Sequence, residues 1–217
     1  MRFYKHRILT RKRYSKSHKT NCGNVVRYWT TMRTSYDEKK NVYETENKMA
    51  RFTSLIGLDI WETPADVRVI PVNTVGVMGR GLAKQAADRV PGLLEAYRKQ
   101  CQDGFKVGEV VSYQHGDNDQ LTYVLFPSKS DWRERTRREY IVNGLLALKA
   151  WLLELQFERD GFSYQRPAEP LIVAIPPVGS GCGNIGYGQS ETIQPQWVRA
   201  QIKQYLATVP NVHFYLF

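Results

Sequence analysis

The chain has too little cysteine to be held together by sulfur. Of its 217 residues only Cys22, Cys101 and Cys182 are cysteines, an odd number at wide spacing. That excludes a disulfide framework and points to a reducing, cytoplasmic setting. Histidine is scarce as well: His6, His18, His115 and His213 are scattered, with no CxxC or HxxxH pair, so no metal site is expected. No apolar run approaches the ~20 residues that span a bilayer, which excludes a membrane-spanning helix. Internal repeats are missing too. What remains is ordinary for a globular protein. Hydrophobic residues make up 42%, enough for a sizeable core, and the length fits one domain plus an extension.

Acidic residues are absent from the first 36 positions, Asp37 being the first. Residues 1–50 hold 13 Lys/Arg against 4 Asp/Glu, and the remainder holds 18 against 17. The formal charge of +10 therefore belongs almost wholly to the N-terminal segment. A run such as Arg11-Lys12-Arg13 repels itself and attracts phosphate. Residues 1–48 read as a flexible basic extension, with Val25–Trp29 as its one candidate strand. Three roles stay open for it: an arm that holds nucleic acid electrostatically, an acid-poor organelle presequence, or an idle tail ahead of a start at Met49.

From residue 49 to 217 short apolar runs alternate with helical patterns, the mark of a layered α/β domain. Strands are expected near Phe52–Ile56, Val67–Val72, Gly108–Tyr113, Thr122–Phe126, Leu171–Ile175 and Val212–Phe217. Val67–Val72 and Leu171–Ile175 are apolar enough to be central and buried on both faces. The clearest helix runs from about Arg137 to Leu155. Ile141, Leu145, Leu148, Leu152 and Leu155 make one stripe along it, and Thr136 with Glu139 forms a T-x-x-E capping box at its start. Further helices are expected from Gly81 to before Pro91, from Leu93 to Cys101, and from Pro195, burying Val198, Ile202 and Tyr205.

Two glycine-rich loops follow the two central strands. Asn73-Thr-Val-Gly-Val-Met-Gly-Arg-Gly-Leu-Ala83 opens a helix, and Pro177-Val-Gly-Ser-Gly-Cys-Gly-Asn-Ile-Gly-Tyr-Gly188 follows the second strand. Together they hold eight of the sixteen glycines. Glycine bares the backbone N–H groups and lets a ligand approach them. Consecutive bare N–H groups backed by a helix N-terminus cradle phosphate oxygens. Ligands of open α/β sheets bind beyond the carboxyl ends of the strands, so two such loops on one rim suggest a diphosphate held between them. The first loop lacks the Gly-Lys-Ser/Thr of a Walker A motif and the spacing of a dinucleotide fingerprint.

The segment Val72–Ala83 resembles the first ligand loop of macro domains, the ADP-ribose-binding family. It is closest to the branch of DNA-directed DarG antitoxins and terminal ADP-ribose glycohydrolases. Gly57-Leu-Asp-Ile60 resembles the family's G-D-I segment, Phe126-Pro-Ser-Lys-Ser-Asp-Trp-Arg133 an F-P-T-K-x-x-W-R run, and Ile175–Gly183 a P-P-x-G-x-G diphosphate loop. The resemblance implies a three-layer α/β/α fold on a mixed, mostly parallel sheet, with ADP-ribose as ligand and no cofactor. It places Asp59 and Ile60 at the adenine. Thr74, Gly76, Val77, Met78, Gly79, Gly81 and Leu82 go to the first ligand loop. Val178, Gly179, Ser180, Gly181, Cys182, Gly183 and Asn184 go to the diphosphate loop. Tyr187, Tyr215 and Phe217 are candidates to stack on the ligand.

The branch's catalytic lysine falls at Ala87 here, and the aspartate used by the human glycohydrolase falls at Gly183. Lys84, one turn earlier on the same helix face, is a candidate nucleophile toward the ribose C1″. Asn73 is a candidate to orient a water. Arg133, Arg135, Arg137 and Arg138 read as a basic patch for a polyanion, with Asp131 as a salt-bridge partner or general acid. The resemblance implies an ADP-ribosyl hydrolase acting on a macromolecule, ADP-ribosylated DNA or protein, from a monomeric protein without membrane contact. A non-catalytic ADP-ribose-binding module and an ADP-ribose 1″-phosphate phosphatase are the alternatives.

Overall fold

The computed structural model describes residues 49–115, 121–160, 169–188 and 191–217, together with four short strands nearer the start. The chain divides into two compact units, Met1–Asn47 and Lys48–Phe217. In the first, β1 (Ser15–Lys19) pairs antiparallel with β2 (Val25–Trp29), and β3 (Thr34–Asp37) pairs antiparallel with β4 (Val42–Thr45). The strand expected at Val25–Trp29 is β2; the other three fall where no period was legible.

The second unit is built on β5 (Arg51–Ser54), β6 (Val67–Val72), β7 (Val111–Gln114), β8 (Thr122–Pro127), β9 (Leu171–Ile175) and β10 (Val212–Leu216). They form one sheet in the order β5-β10-β9-β6-β8-β7. Every neighbouring pair is parallel except β7, which runs antiparallel to β8. The sheet is mixed and mostly parallel, as expected. The two apolar runs take its centre because helices cover both their faces, which only an almost continuous hydrophobic strand tolerates.

Helices α1 (Gly81–Arg89) and α2 (Leu93–Gln102) cover one face; α3 (Arg138–Asp160) and α4 (Pro195–Leu206) cover the other. Ile141, Leu145, Leu148 and Leu152 of α3 are all fully buried against Val69, Val124 and Val173. Truncating any one of these leucines to alanine costs about 2–5 kcal/mol. On α4 the buried residues are Val198, Ile202 and Leu206, with Tyr205 only half-buried, so the stripe lies one residue further round than expected. Gly144 brings α3 down onto the sheet, since a Cβ there would overlap the ring of Phe126 on β8. The strand expected from Gly108 starts later, at Val111. The Glu109 carboxylate accepts the Lys106 N–H at 2.9 Å and closes a turn there first.

Candidate functional site

Because β6 and β9 are adjacent and parallel, the loops that leave their carboxyl ends must rise on the same rim. They also meet: a Cβ on Gly81 would lie 3.1 Å from the Cys182 sulfur. Cys182 is exposed there. The site is the ground between these loops, flanked by the segments that follow β5 and β8.

The first loop is folded by its own first residue. Asn73 is buried. Its Oδ1 accepts the N–H groups of Val75 at 3.0 Å and Val77 at 3.3 Å, and its Nδ2 donates to the Val77 carbonyl at 2.6 Å. The Tyr97 hydroxyl of α2 donates to both the carbonyl and Oδ1 of Asn73, at 2.9 and 2.8 Å. Burial, with Cys101 beside it, raises the Tyr97 pKa and keeps the phenol a donor. The carboxamide of Asn73 is thus spent on the loop. Gly76 and Met78 are buried, whereas Val75, Val77 and Gly79 face out. Thr74 ties the loop to the β8 segment: its N–H and hydroxyl both donate to the Ser130 carbonyl, at 3.0 and 2.8 Å. Helix α1 then starts at Gly81 with no side-chain cap, which leaves its first N–H groups, those of Gly81 and Leu82 among them, turned to the rim.

The second loop is held from outside. Among the described residues, the N–H groups of Gly179, Gly181, Cys182 and Gly183 have no backbone acceptor, while Ser180 and Asn184 donate inside the loop. Four bare donors within five residues make an anion cradle. Lys129, buried at the end of β8, donates through Nζ to the carbonyls of Cys182 and Ile185, each at 3.1 Å. Desolvation lowers its pKa, partly opposed by Cys182, Asp131 and Glu134. The ammonium draws carbonyls inward, which turns the N–H ends of those peptides outward. Thr136 is fully buried under the loop and donates its N–H to the Gly183 carbonyl at 2.9 Å. A Cβ on Gly183 would meet its hydroxyl at 2.5 Å, and one on Gly179, where φ is +77°, would meet its methyl at 2.7 Å. Asn184 closes the loop, donating to the Ser180 and Ile193 carbonyls and accepting the Ile193 N–H. Val178, fully buried, anchors its base in the core.

Asp59 stands on the loop after β5. One oxygen accepts the Trp61 N–H at 2.8 Å in a local turn, and the side chain is exposed. Ile60 is buried with Ala174 and Phe217, so it supports the rim from below. The indole of Trp61 reaches Gln85 of α1 at 2.6 Å.

Lys84 is not drawn to the loops. Its Nζ pairs with Asp88 Oδ2 at 2.5 Å, one turn toward the C-terminal end of α1, on the exposed surface. Ala87 packs partly buried against the core. The arginines that read as a basic patch are largely matched: Arg133 pairs with Asp131, Arg137 with Glu139 and Arg138 with Glu191. Arg135 donates to the Gly186 carbonyl at 3.2 Å. Asp131 does what a surface salt-bridge partner does, and also accepts the Arg133 N–H at 2.8 Å. Sequence reasoning missed the scaffolding parts of Lys129, Thr136 and Tyr97. A lysine inside an apolar strand end, Phe126-Pro-Ser-Lys129, was the one local signal.

The chain matches the Macro domain family over residues 69–194. It is 30% identical over 161 residues to a DNA ADP-ribosyl glycohydrolase of Thermus aquaticus, covering 73% of this chain and 39% of that protein. It thus spans about two-fifths of the length of that curated relative. Among solved structures, the macrodomain of Mycobacterium tuberculosis DarG matches 78% of this chain and 97% of its own, at 26% identity and a TM-score of 0.62. The macrodomain of Thermus aquaticus DarG matches 78% and 98%, at 28% identity and a TM-score of 0.61.

Proposed function

The chain belongs to the Macro domain family, and from that premise we propose that it binds ADP-ribose between its two glycine loops and removes it from ADP-ribosylated DNA. One observation carries the reading. Bare N–H groups stand on the loops after β6 and β9, and the parallel pairing of those strands brings the loops to one rim; a diphosphate held there would have Asp59 toward one end and the first loop toward the other. The exposed Asp59 oxygen suits an adenine amino group. The first loop, shaped by Asn73, suits the distal ribose.

Turnover breaks the bond between the ribose C1″ and the DNA. Water supplies the new C1″ oxygen, and the departing nucleobase regains a proton. Lys84 stands in the first turn of α1. Swinging its Nζ back from Asp88 gives up only an exposed ion pair, worth about 0–1 kcal/mol. Asn73 contributes by holding the loop rather than by presenting its amide.

A second reading, binding without turnover, is favoured by Ala87 standing where the branch has its lysine and by Lys84 facing away. The test is incubation of the full chain with ADP-ribosylated single-stranded DNA and with ADP-ribosylated protein, following free ADP-ribose. Lys84→Ala runs alongside, and calorimetric ADP-ribose binding is the control. Release from DNA is expected, and it falls by ten-fold or more in Lys84→Ala, on the order of a lost catalytic group. Tight binding with no release from either substrate establishes the second reading. Absence of ADP-ribose binding sinks both.

A further inference from the structure

The large apolar side chains left exposed on the second unit are not scattered. Ile56, Leu58, Val75, Val77, Trp132, Ile185 and Tyr187 all stand on the loops beyond β5, β6, β8 and β9; among the described residues, Met49 and Leu146 are the exceptions. Two of them are aromatic and mounted together. The Tyr187 N–H donates to the Arg133 carbonyl, and the Arg135 N–H donates back to the Tyr187 carbonyl at 3.2 Å. Glu134 and Tyr187 form a parallel β-bridge. The approach depends on Gly186, whose φ is +142° and whose Cβ, were it present, would overlap the Arg133 carbonyl. Arg135 adds a side-chain bond to Gly186 from the opposite segment.

This bridge fastens Tyr187 two residues from Trp132 yet leaves the Tyr187 side 82% exposed and Trp132 49% exposed. The Arg133 guanidinium lies over the Trp132 ring, 4.4 Å from its centre. A tyrosine that only filled space would turn its ring onto the protein. Here backbone bonds hold the residue while the ring faces solvent. The mount is continuous with the ligand cradle, for Tyr187 belongs to the second loop and Trp132 follows Ser130, which anchors the first.

We propose that Trp132 and Tyr187 form a stacking platform for unpaired nucleobases next to the ADP-ribosylated one, on a single-stranded nucleic acid. Exposed aromatic rings with an arginine against one of them suit single-strand binding, because every base offers a face and each linkage a phosphate. The pairs Arg133–Asp131, Arg137–Glu139 and Arg138–Glu191 are exposed, so these arginines can exchange a carboxylate for a phosphate at little cost. A strand that entered over the platform would present its modified base at the loops. The inference rests on the proposed binding of ADP-ribose between those loops.

The test is equilibrium displacement of a fluorescent ADP-ribose analogue from the full chain. The competitors are free ADP-ribose, an ADP-ribosylated single-stranded oligonucleotide and an ADP-ribosylated peptide, each read before product accumulates. Trp132→Ala and Tyr187→Ala are each expected to weaken the oligonucleotide by about 5- to 100-fold, the range of one base–aromatic stack. The oligonucleotide should weaken several-fold more than free ADP-ribose or the peptide, and Tyr187→Phe should retain the wild-type value. Thermal unfolding checks that each variant folds. Equal weakening of all three competitors would mean the rings only support the loop, and unchanged oligonucleotide affinity would mean they touch no base; either result overturns the platform. If free ADP-ribose fails to displace the analogue from the wild type, the underlying ligand reading falls instead.

Discussion

The two glycine loops look alike in sequence and are built in opposite ways. The first is organised chiefly from within: Asn73 bonds the turn that follows it, and two distant residues, Tyr97 and Ser130, complete the job. The second is organised from without, by Lys129, Thr136 and Arg135 of the segment around the start of α3. The same outcome, outward N–H groups, therefore has two physical causes. A local turn can be read in a sequence. A loop shaped by a cation buried beneath it cannot, because the partners are more than fifty residues apart.

The contrast can be broken hardest at Gly179. Valine there places a Cβ against Thr136 and demands a left-handed backbone from a β-branched residue. Strain of about 1–3 kcal/mol arises from the backbone alone, before the overlap. ADP-ribose binding should disappear from calorimetry while far-UV circular dichroism keeps the α/β signature. Retained binding would show that the second loop is not the cradle.

Asn73→Ala is the matching lesion in the first loop. It leaves the Val75 and Val77 N–H groups and the Val77 carbonyl short of a partner, while the Tyr97 hydroxyl keeps the main-chain carbonyl of residue 73. Stability should drop by about 2–3 kcal/mol, at the upper end for a buried polar partner lost, as read by urea unfolding. Tyr97→Phe should cost less, about 1–2 kcal/mol, because Asn73 keeps its bonds within the loop. Equal losses in the two variants would mean that α2, rather than Asn73, folds the loop.

The smallest effect separates charge from shape at Lys129. Desolvation lowers its pKa below 10.5, so it loses its proton before an ordinary lysine does. Below that lowered pKa the ammonium stands behind the second loop, where the proposed diphosphate would feel its charge; above it that attraction is gone. ADP-ribose affinity should therefore fall as pH rises through a value under 10.5, by several-fold, and Lys129→Gln should flatten this part of the profile. The groups facing Lys129 are Cys182, Asp131 and Glu134, and Cys182→Ser removes the thiol as a competing cause. Protein stability runs the other way over that window. There the unfolded chain carries the extra proton, so this one group makes folding more favourable as pH rises. A flat affinity profile in the wild type would assign Lys129 to loop geometry alone.

Much of the fold was legible because the signals were local. Val67–Val72 and Leu171–Ile175 have the expected boundaries, and both lie at the centre of the sheet, since a strand covered on both faces needs unbroken apolar sequence. The α3 stripe was legible for the same reason. Elements beginning at a turn were less so, as Gly108 shows. In the site, the glycines announced where backbone would be bare. What they did not announce was that Lys84 would prefer Asp88 or that Arg137 and Arg138 would find carboxylates. Those choices depend on which surfaces the packing leaves side by side.

The seat of Phe126 in the gap at Gly144 has a consequence for tolerance. It is the point where α3 can neither slide nor roll against the sheet, because no Cβ separates helix backbone from ring. Thr136, two turns ahead of Gly144, lies under the second loop, so slack introduced at the seat would emerge as play at the phosphate cradle. The aromatic seat beneath α3 sets the mechanical zero from which the cradle's position is measured.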